Sequence, residues 1–278
     1  MALIAVLYLI WEKGEEYVIY LVPIVILLAV LYILSPQIDW FLYKRRPPEM
    51  YPQLKQMLQK RLPFYSKLNA KYKKRFESRV MLYMLANQFL PQLMDTVPKD
   101  AEALVAANVV QLTFGVPDFR MPAFENIVMC PGPFPSPQYP EHNHVAEIFA
   151  EDKSILLSMD HAIHGTINAK KNYNIALHEY ARVYMLVHPE IEYPTLPADI
   201  WKKLELISGF TEQYIRDHIG RPDVQALPTC MVCFFIFPEK FWEVEPKLFR
   251  ELSRVFNLNP MNGGYPVVDV DLMGADAG

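Results

Sequence analysis

The hydrophobic pattern of the chain changes period twice. Residues 17–34, YVIYLVPIVILLAVLYIL, form eighteen consecutive positions without a charge. A run of that length approaches the roughly 20 apolar residues a membrane-spanning helix needs, and Ser35 with Ile38 extends it. Pro23 falls in its first turns, where a membrane helix tolerates it. Tyr17, Tyr20, Tyr32 and Trp40 stand near the two ends, as interfacial aromatics do. Beyond this run the apolar positions recur every three to four residues. Leu54, Leu58 and Leu62 predict a helix over 48–62 that Pro63 stops. Phe76, Val80, Tyr83 and Met84 predict a second over 69–90, with Asn69 as N-cap and Pro91 as its end. A third spans 101–114 and ends at Gly115-Val116-Pro117.

The period then shortens. Residues 126–129 and 154–158 read as buried strands. The connection over 131–140 carries five prolines in ten residues and reads as a stiff loop. Helical spacing returns over 160–168, 172–187, 197–216, 230–235 and 238–256. The pattern thus predicts an α+β fold, mainly helical with a small sheet, behind one transmembrane helix. Its divisions are 1–46 as anchor and basic flank, 47–260 as the folded domain, and 261–278 as a disordered tail.

Charge sets the orientation. Between Lys44 and Arg79 there are twelve Lys/Arg against two Glu in a chain of formal charge −4. Lys44-Arg45-Arg46 follow the apolar run, whereas Glu12, Glu15 and Glu16 precede it, so the domain is expected on the cytoplasmic side. The acidic flank and the lack of a small-residue cleavage site argue against a cleaved signal peptide. The basic stretch is either a solvated helix face or a collar for anionic lipid, with residues 17–46 as the membrane-facing part. The net negative charge excludes a nucleic-acid protein. Three cysteines (Cys130, Cys230 and Cys233) form no disulfide framework. Cys230 and Cys233 are spaced C-x-x-C inside an apolar run and are expected to be core residues.

The chemistry concentrates in Asn174-Ile175-Ala176-Leu177-His178-Glu179-Tyr180-Ala181-Arg182. His-Glu-x-x-His on a helix works because i and i+4 share a face, so two imidazoles meet one zinc and the Glu serves as base for its water. Here the i+4 position is Arg182, whose guanidinium offers only donors and ligates no metal. It is instead placed to pair with Glu179 at i−3. His142 with His144, and His161 with His164, are the other histidine pairs with metal-compatible spacing. Glu212, Asp217 and His218 are further donors that no spacing requires.

The order of these features resembles the Mlc titration factor A family of zinc peptidases over roughly residues 51–260. "ILLSMDHAIHG" lies about twenty residues ahead of "NIALHEYAR". Ser158, Asn174, His178, Glu179 and Ala181 match the family's run, and Tyr180 stands for its Phe. "CFFIFPEKFWEVEPKLFRELSRVFN" is similar to its closing segment. The resemblance implies a zincin-like metallopeptidase domain, expected here behind the single-pass anchor in a bacterial inner membrane. It also implies zinc held by both motif histidines and by a Glu whose place falls on Gln225. Two of those three ligand positions, Arg182 and Gln225, carry the wrong side chains, so no zinc cofactor is expected. Glu179 is then a vestigial base, His178 and Gln225 vestigial metal positions, and Tyr180 and Arg182 candidate binding residues. Three roles follow: a non-catalytic scaffold for a protein or peptide partner, an active zinc peptidase with substitute ligands, or a structural subunit of a membrane complex.

Overall fold

The computed structural model of the protein describes Trp11 and residues 21–262. The chain falls into two compact units, Met1–Pro48 and Glu49–Gly278. The first contains helix α1 (Leu21–Arg45). It is bent by 54° between Leu21–Ser35 and Gln37–Arg45, at Pro36, which has no N–H to give the helical ladder. Among the described residues no single helix is long and apolar enough to cross a membrane, although the two arms of this bent pair together have the length and composition. Residues 17–20, where the expected span begins, lie outside the described residues. At the basic end Lys44 and Arg45 lie over the rings of Trp40 and Phe41, at 5.8 and 5.0 Å.

The second unit opens with helices α2 (Pro52–Arg61), α3 (Pro63–Lys67) and α4 (Ala70–Ala86). Pro52 and Pro63 start two of them, where a missing N–H costs nothing. Asn69 caps α4 by accepting the Tyr72 N–H at 2.9 Å. Helix α5 (Lys99–Leu112) follows, with every residue from Ala101 onward buried. A helix without a polar face belongs in the middle of a domain, and α5 packs against α4 and, later in the chain, against the helices Met159–Ile167 and Ile175–Val187.

The sheet has four strands in the order β1-β2-β4-β3: β1 (Gln88–Pro91), β2 (Asn126–Cys130), β3 (Ala146–Phe149) and β4 (Ser154–Ser158). The first three in that order are parallel and β3 runs antiparallel to β4. The sheet corrects the expected helix over 69–90. That helix ends at Ala86, where Asn87 turns its amide back onto the Tyr83 carbonyl at 2.8 Å. Phe89 and Leu90 then belong to an edge strand in register with Ile127 and Val128. Pro91 disfavours the helical region for Leu90 and is tolerated at an edge.

Strand β4 runs straight into α6 (Met159–Ile167), which is followed by α7 (Ile175–Val187). The expected helix over 197–216 is two helices, α8 (Ile200–Ser208) and α9 (Glu212–Ile219), parted at Gly209 and restarted by a Thr211 cap. Likewise 238–256 divides into α11 (Pro238–Val244) and α12 (Pro246–Val255) behind α10 (Ala226–Ile236). Phe234 meets Phe249 at 4.9 Å and Phe235 meets Phe256 at 5.2 Å. Each such buried ring contributes about 1.5–3 kcal/mol. Leu258 is fully buried, and the first two residues of the expected disordered tail, Met261 and Asn262, belong instead to a 3₁₀ turn, Pro260–Asn262. The rest of the expected disordered tail lies outside the described residues. Cys130, Cys230 and Cys233 are free and buried, and burial pushes the Cys233 thiol up to about 12.

The basic stretch is partly structural. Arg79 is buried and donates to the Thr113 and Phe114 carbonyls at 3.0 and 3.2 Å, closing the end of α5. Lys55 pairs with Glu77 at 2.8 Å and Lys67 with Glu239 at 3.0 Å.

Candidate functional site

Helix α7 carries the motif, and its start is fixed by polar side chains. Asn174 is the N-cap, accepting the Leu177 N–H at 3.0 Å while its own amide donates to Asn108 of α5 at 2.8 Å. Asn108 in turn donates to Thr166 of α6 at 2.8 Å. All three are buried, so the cap of α7 is welded to both neighbouring helices. Gly165 makes that approach possible, since a Cβ there would lie 2.6 Å from the Tyr173 carbonyl oxygen.

His178 is fully buried. Its Nδ1 is 2.7 Å from the Tyr173 hydroxyl, which donates to Thr229 of α10 at 3.2 Å, and Thr229 donates to the Gln225 carbonyl at 3.1 Å. Each hydroxyl has one proton. With those of Thr229 and Tyr173 directed down this chain, the Nδ1 of His178 carries the proton that reaches Tyr173. Its Nε2 is left as a bare lone pair, buried and without a partner. Burial first, then the charges of Arg182 and Arg221, hold His178 well below the usual imidazole range, so it is neutral. Burial likewise raises the Tyr173 phenol and keeps it protonated.

Glu179 is also fully buried, and both of its oxygens are taken. Arg182 donates to Oε2 at 2.7 Å and Arg221 donates to Oε1 at 3.2 Å. Asp223 completes the group, 3.3 Å from Arg221 and 3.8 Å from Arg182. Two carboxylates and two guanidiniums therefore share one cluster of zero net charge. The backbone after α9 supplies Arg221: Gly220 has φ +78° and lies so near Asn143 and His144 that a Cβ would be 2.5 Å from the Asn143 oxygen. Only glycine takes that turn freely.

The pairing of Arg182 with Glu179 is the one the spacing gives. Tyr180 is a core residue, fully buried with its hydroxyl 3.1 Å from that of Tyr83, and presents nothing to a ligand. Gln225 takes part through its backbone carbonyl, while its side chain is exposed. Among α10 side chains it is Thr229, one turn further on, that reaches the His178 chain. Of the other histidines, His144, His161 and His164 have partners of their own, while the ring of His218 lies 5.3 Å from that of His161 and its buried Nε2 meets no partner. His144 meets Glu147 at 2.9 Å, His161 meets Ser158 at 2.9 Å, and His164 bonds the Asp160 carbonyl at 2.9 Å. Glu212 holds Arg216 at 2.6 Å and Asp217 accepts from Gln213 at 2.7 Å.

Arg221, Asp223, Tyr173 and Thr229 were not among the sequence candidates. Tyr173 had a signal, because it stands at N′ of the helix and His178 at N4, the two positions that pack together at a helix start. Arg221 had a weaker one, a lone Arg between a helix-ending Gly and Pro222. Thr229 had none.

Catalytic zinc takes three protein donors and a water. His178 Nε2 is one donor, and the two guanidiniums that flank Glu179 supply none. Among the described residues no group of three His, Cys, Asp or Glu is arranged to hold a metal ion. This donor set does not fit zinc. Both oxygens of Glu179 are held by guanidiniums.

No curated protein matches this chain closely enough to count. The model of the glucose-regulated metallo-peptidase M90 family matches residues 39–183. That span is more than half of the chain and ends one residue past Arg182, so α10 and the Gln225 position fall beyond it. The capped helix, the His-Glu pair at its centre and this match all place the chain in one lineage: it belongs to the glucose-regulated metallo-peptidase M90 family.

Proposed function

We propose that this chain is a membrane-anchored member of the family that has given up hydrolysis and serves as a scaffold for a protein or peptide partner. The observation that carries the proposal is the capture of both Glu179 oxygens by Arg182 and Arg221. A base must be able to accept a proton at the reacting water, and an arginine fork on each oxygen blocks that. Arg182 also holds a fixed positive charge at the second ligand position, where it repels a divalent cation. No resident zinc is proposed.

The anchor is residues 17–46, with Lys44, Arg45 and Arg46 on the cytoplasmic face of a bacterial inner membrane. The Lys44–Trp40 and Arg45–Phe41 stacks support an interfacial position for this end. Carbonate extraction tests it, and recovery of the full chain in the soluble fraction would overturn it.

Metal analysis of the purified full chain tests the loss of catalysis. The expected result is far less than one zinc per chain and no hydrolysis of unstructured peptides. One tightly bound zinc per chain would overturn it. A second reading, an active peptidase with substitute ligands, draws on the bare Nε2 of His178. It requires hydrolysis that Glu179→Gln abolishes, so the same preparation separates the two.

A further inference from the structure

Away from His178, the second unit has a cavity of about 270 Å³ between the end of α2, the start of α3, α5, the end of α6 and the end of α10. Leu62, Phe64, Ile167, Phe235 and Ile236 form its apolar walls. Four cations, Lys60, Arg61, Lys170 and Lys171, stand on its rim, and no carboxylate lines it. None of the four forms a salt bridge among the described residues; Glu239, which feels the charge of Lys170, is paired with Lys67 at 3.0 Å. Like charges drawn round one opening repel one another, and an anion seated there relieves all four at once.

The far end of the cavity makes a different demand. Gln111 of α5 lines it, is 1 % exposed, and its Oε1 has no hydrogen-bond partner. Its neighbour Thr166 is of no help, because that hydroxyl donates to the Ala162 carbonyl at 2.7 Å and accepts from Asn108 at 2.8 Å. A buried amide oxygen left unmet is costly in an otherwise satisfied interior. Solvated lysines alone account for the rim but not for Gln111.

We propose that this cavity binds a small organic anion: a carboxylate or phosphate on a compact apolar body, with a hydroxyl at the end remote from the charge. The charge sits among Lys60, Arg61, Lys170 and Lys171, the body lies against Phe64 and Phe235, and the hydroxyl donates to Gln111. A bilayer lipid is the weaker fit, because its acyl end has no donor for Gln111. The assignment stands independently of the reading given to His178 and Glu179.

The test is calorimetric titration of the full chain in zwitterionic nanodiscs. The probes are 4-hydroxyphenylacetate and 8-hydroxyoctanoate, each compared with its deoxy counterpart, phenylacetate or octanoate. 4-Methylphenol and inorganic phosphate serve as controls. Saturable binding is expected, with each hydroxylated anion bound about fivefold more tightly than its deoxy partner, the worth of one hydrogen bond. Lys170→Glu with Lys171→Glu, both on exposed positions, should weaken every anion about tenfold. Gln111→Leu removes the unmet amide at similar volume. It should erase the hydroxyl preference while leaving phenylacetate unchanged. Equal affinity for hydroxylated and deoxy probes would overturn the proposal. So would an unchanged preference in Gln111→Leu, or binding confined to inorganic phosphate or to nanodiscs containing phosphatidylglycerol.

Discussion

Glu179→Gln should unfold the domain at a markedly lower temperature. In a working peptidase the same substitution disarms the base and leaves the fold nearly untouched, because that carboxylate faces water and metal. Here it faces two guanidiniums in a fully buried site, at 2.7 and 3.2 Å. Removing one partner of a buried ion pair costs about 3–5 kcal/mol, since the other charge is stranded. Two features lower that figure. The glutamine retains one acceptor oxygen, and Asp223 remains 3.3 Å from Arg221 and 3.8 Å from Arg182. Asp223 is half exposed, so its compensation is screened by solvent. A net loss of about 3 kcal/mol follows, which for a domain of this size lowers Tm by roughly 6–12 °C. Scanning calorimetry of the full chain reads it directly. The loss should persist in high salt, because buried pairs are poorly screened. A double-mutant cycle with Arg221→Met should return a coupling of about 2 kcal/mol. A Glu179→Gln protein melting within about 2 °C of the parent would refute the argument. It would mean that the carboxylate is not the centre of a structural cluster.

Three further outcomes follow from the same site. His178 is held neutral in the fold and has an ordinary pKa when unfolded, so the unfolded state binds the extra proton first as pH falls. Stability should therefore be level above about pH 6.5 and decline below it by about 1.4 kcal/mol per unit; His161 and His218, lowered by partial burial, tilt it the same way. Urea denaturation at pH 7.5, 6 and 5 measures this, and flat stability across that range would contradict a neutral buried His178. Asn174→Ala removes the cap on Leu177 and strands the Asn108 carbonyl oxygen. A loss of about 2–3 kcal/mol is expected, to be read from the denaturation midpoint, and a loss under 0.5 kcal/mol would dissociate the cap from the network. Gly220→Ala puts a Cβ against the Asn143 oxygen at a positive φ. It should cost at least about 2 kcal/mol and displace Arg221, so that Glu179→Gln costs less in that background than in the parent, and equal costs would show that Gly220 does not place Arg221.

Local chemistry made parts of this fold readable. Asn69 announces its helix because a side-chain oxygen followed by an apolar period has few other uses; Asn174 does the same, but the expected helix over 172–187 began two residues before it. Strands over 126–129 and 154–158 stood out because buried parallel strands are short unbroken apolar runs. Edge strand β1 was misread because Leu90, seven residues on from Tyr83, continues the apolar face of α4 in phase. Nothing in the period marks the point where Asn87 folds back on Tyr83. Within the site, Arg182 and Glu179 were legible since i and i+3 on a helix must be neighbours. Arg221 was not, because its contact spans 42 residues and depends on a turn whose geometry only Gly220 allows.

Arg182 does not stand alone, and the cluster explains why the other three residues belong with it. An arginine at the second ligand position brings a charge into the interior, where an unpaired guanidinium is not tolerated. Glu179 answers it but has a second oxygen, and a half-bound buried carboxylate is nearly as costly as a free one. Arg221 meets that oxygen, and Asp223 balances the surplus. The arrangement closes at zero charge only with all four present. Restoring histidine at position 182 alone would therefore leave Glu179 locked to Arg221. Arg182→His should bind no zinc and gain no hydrolysis, while melting well below the parent. Tight zinc binding by that single variant would show that the rest of the site had stayed ready for the metal.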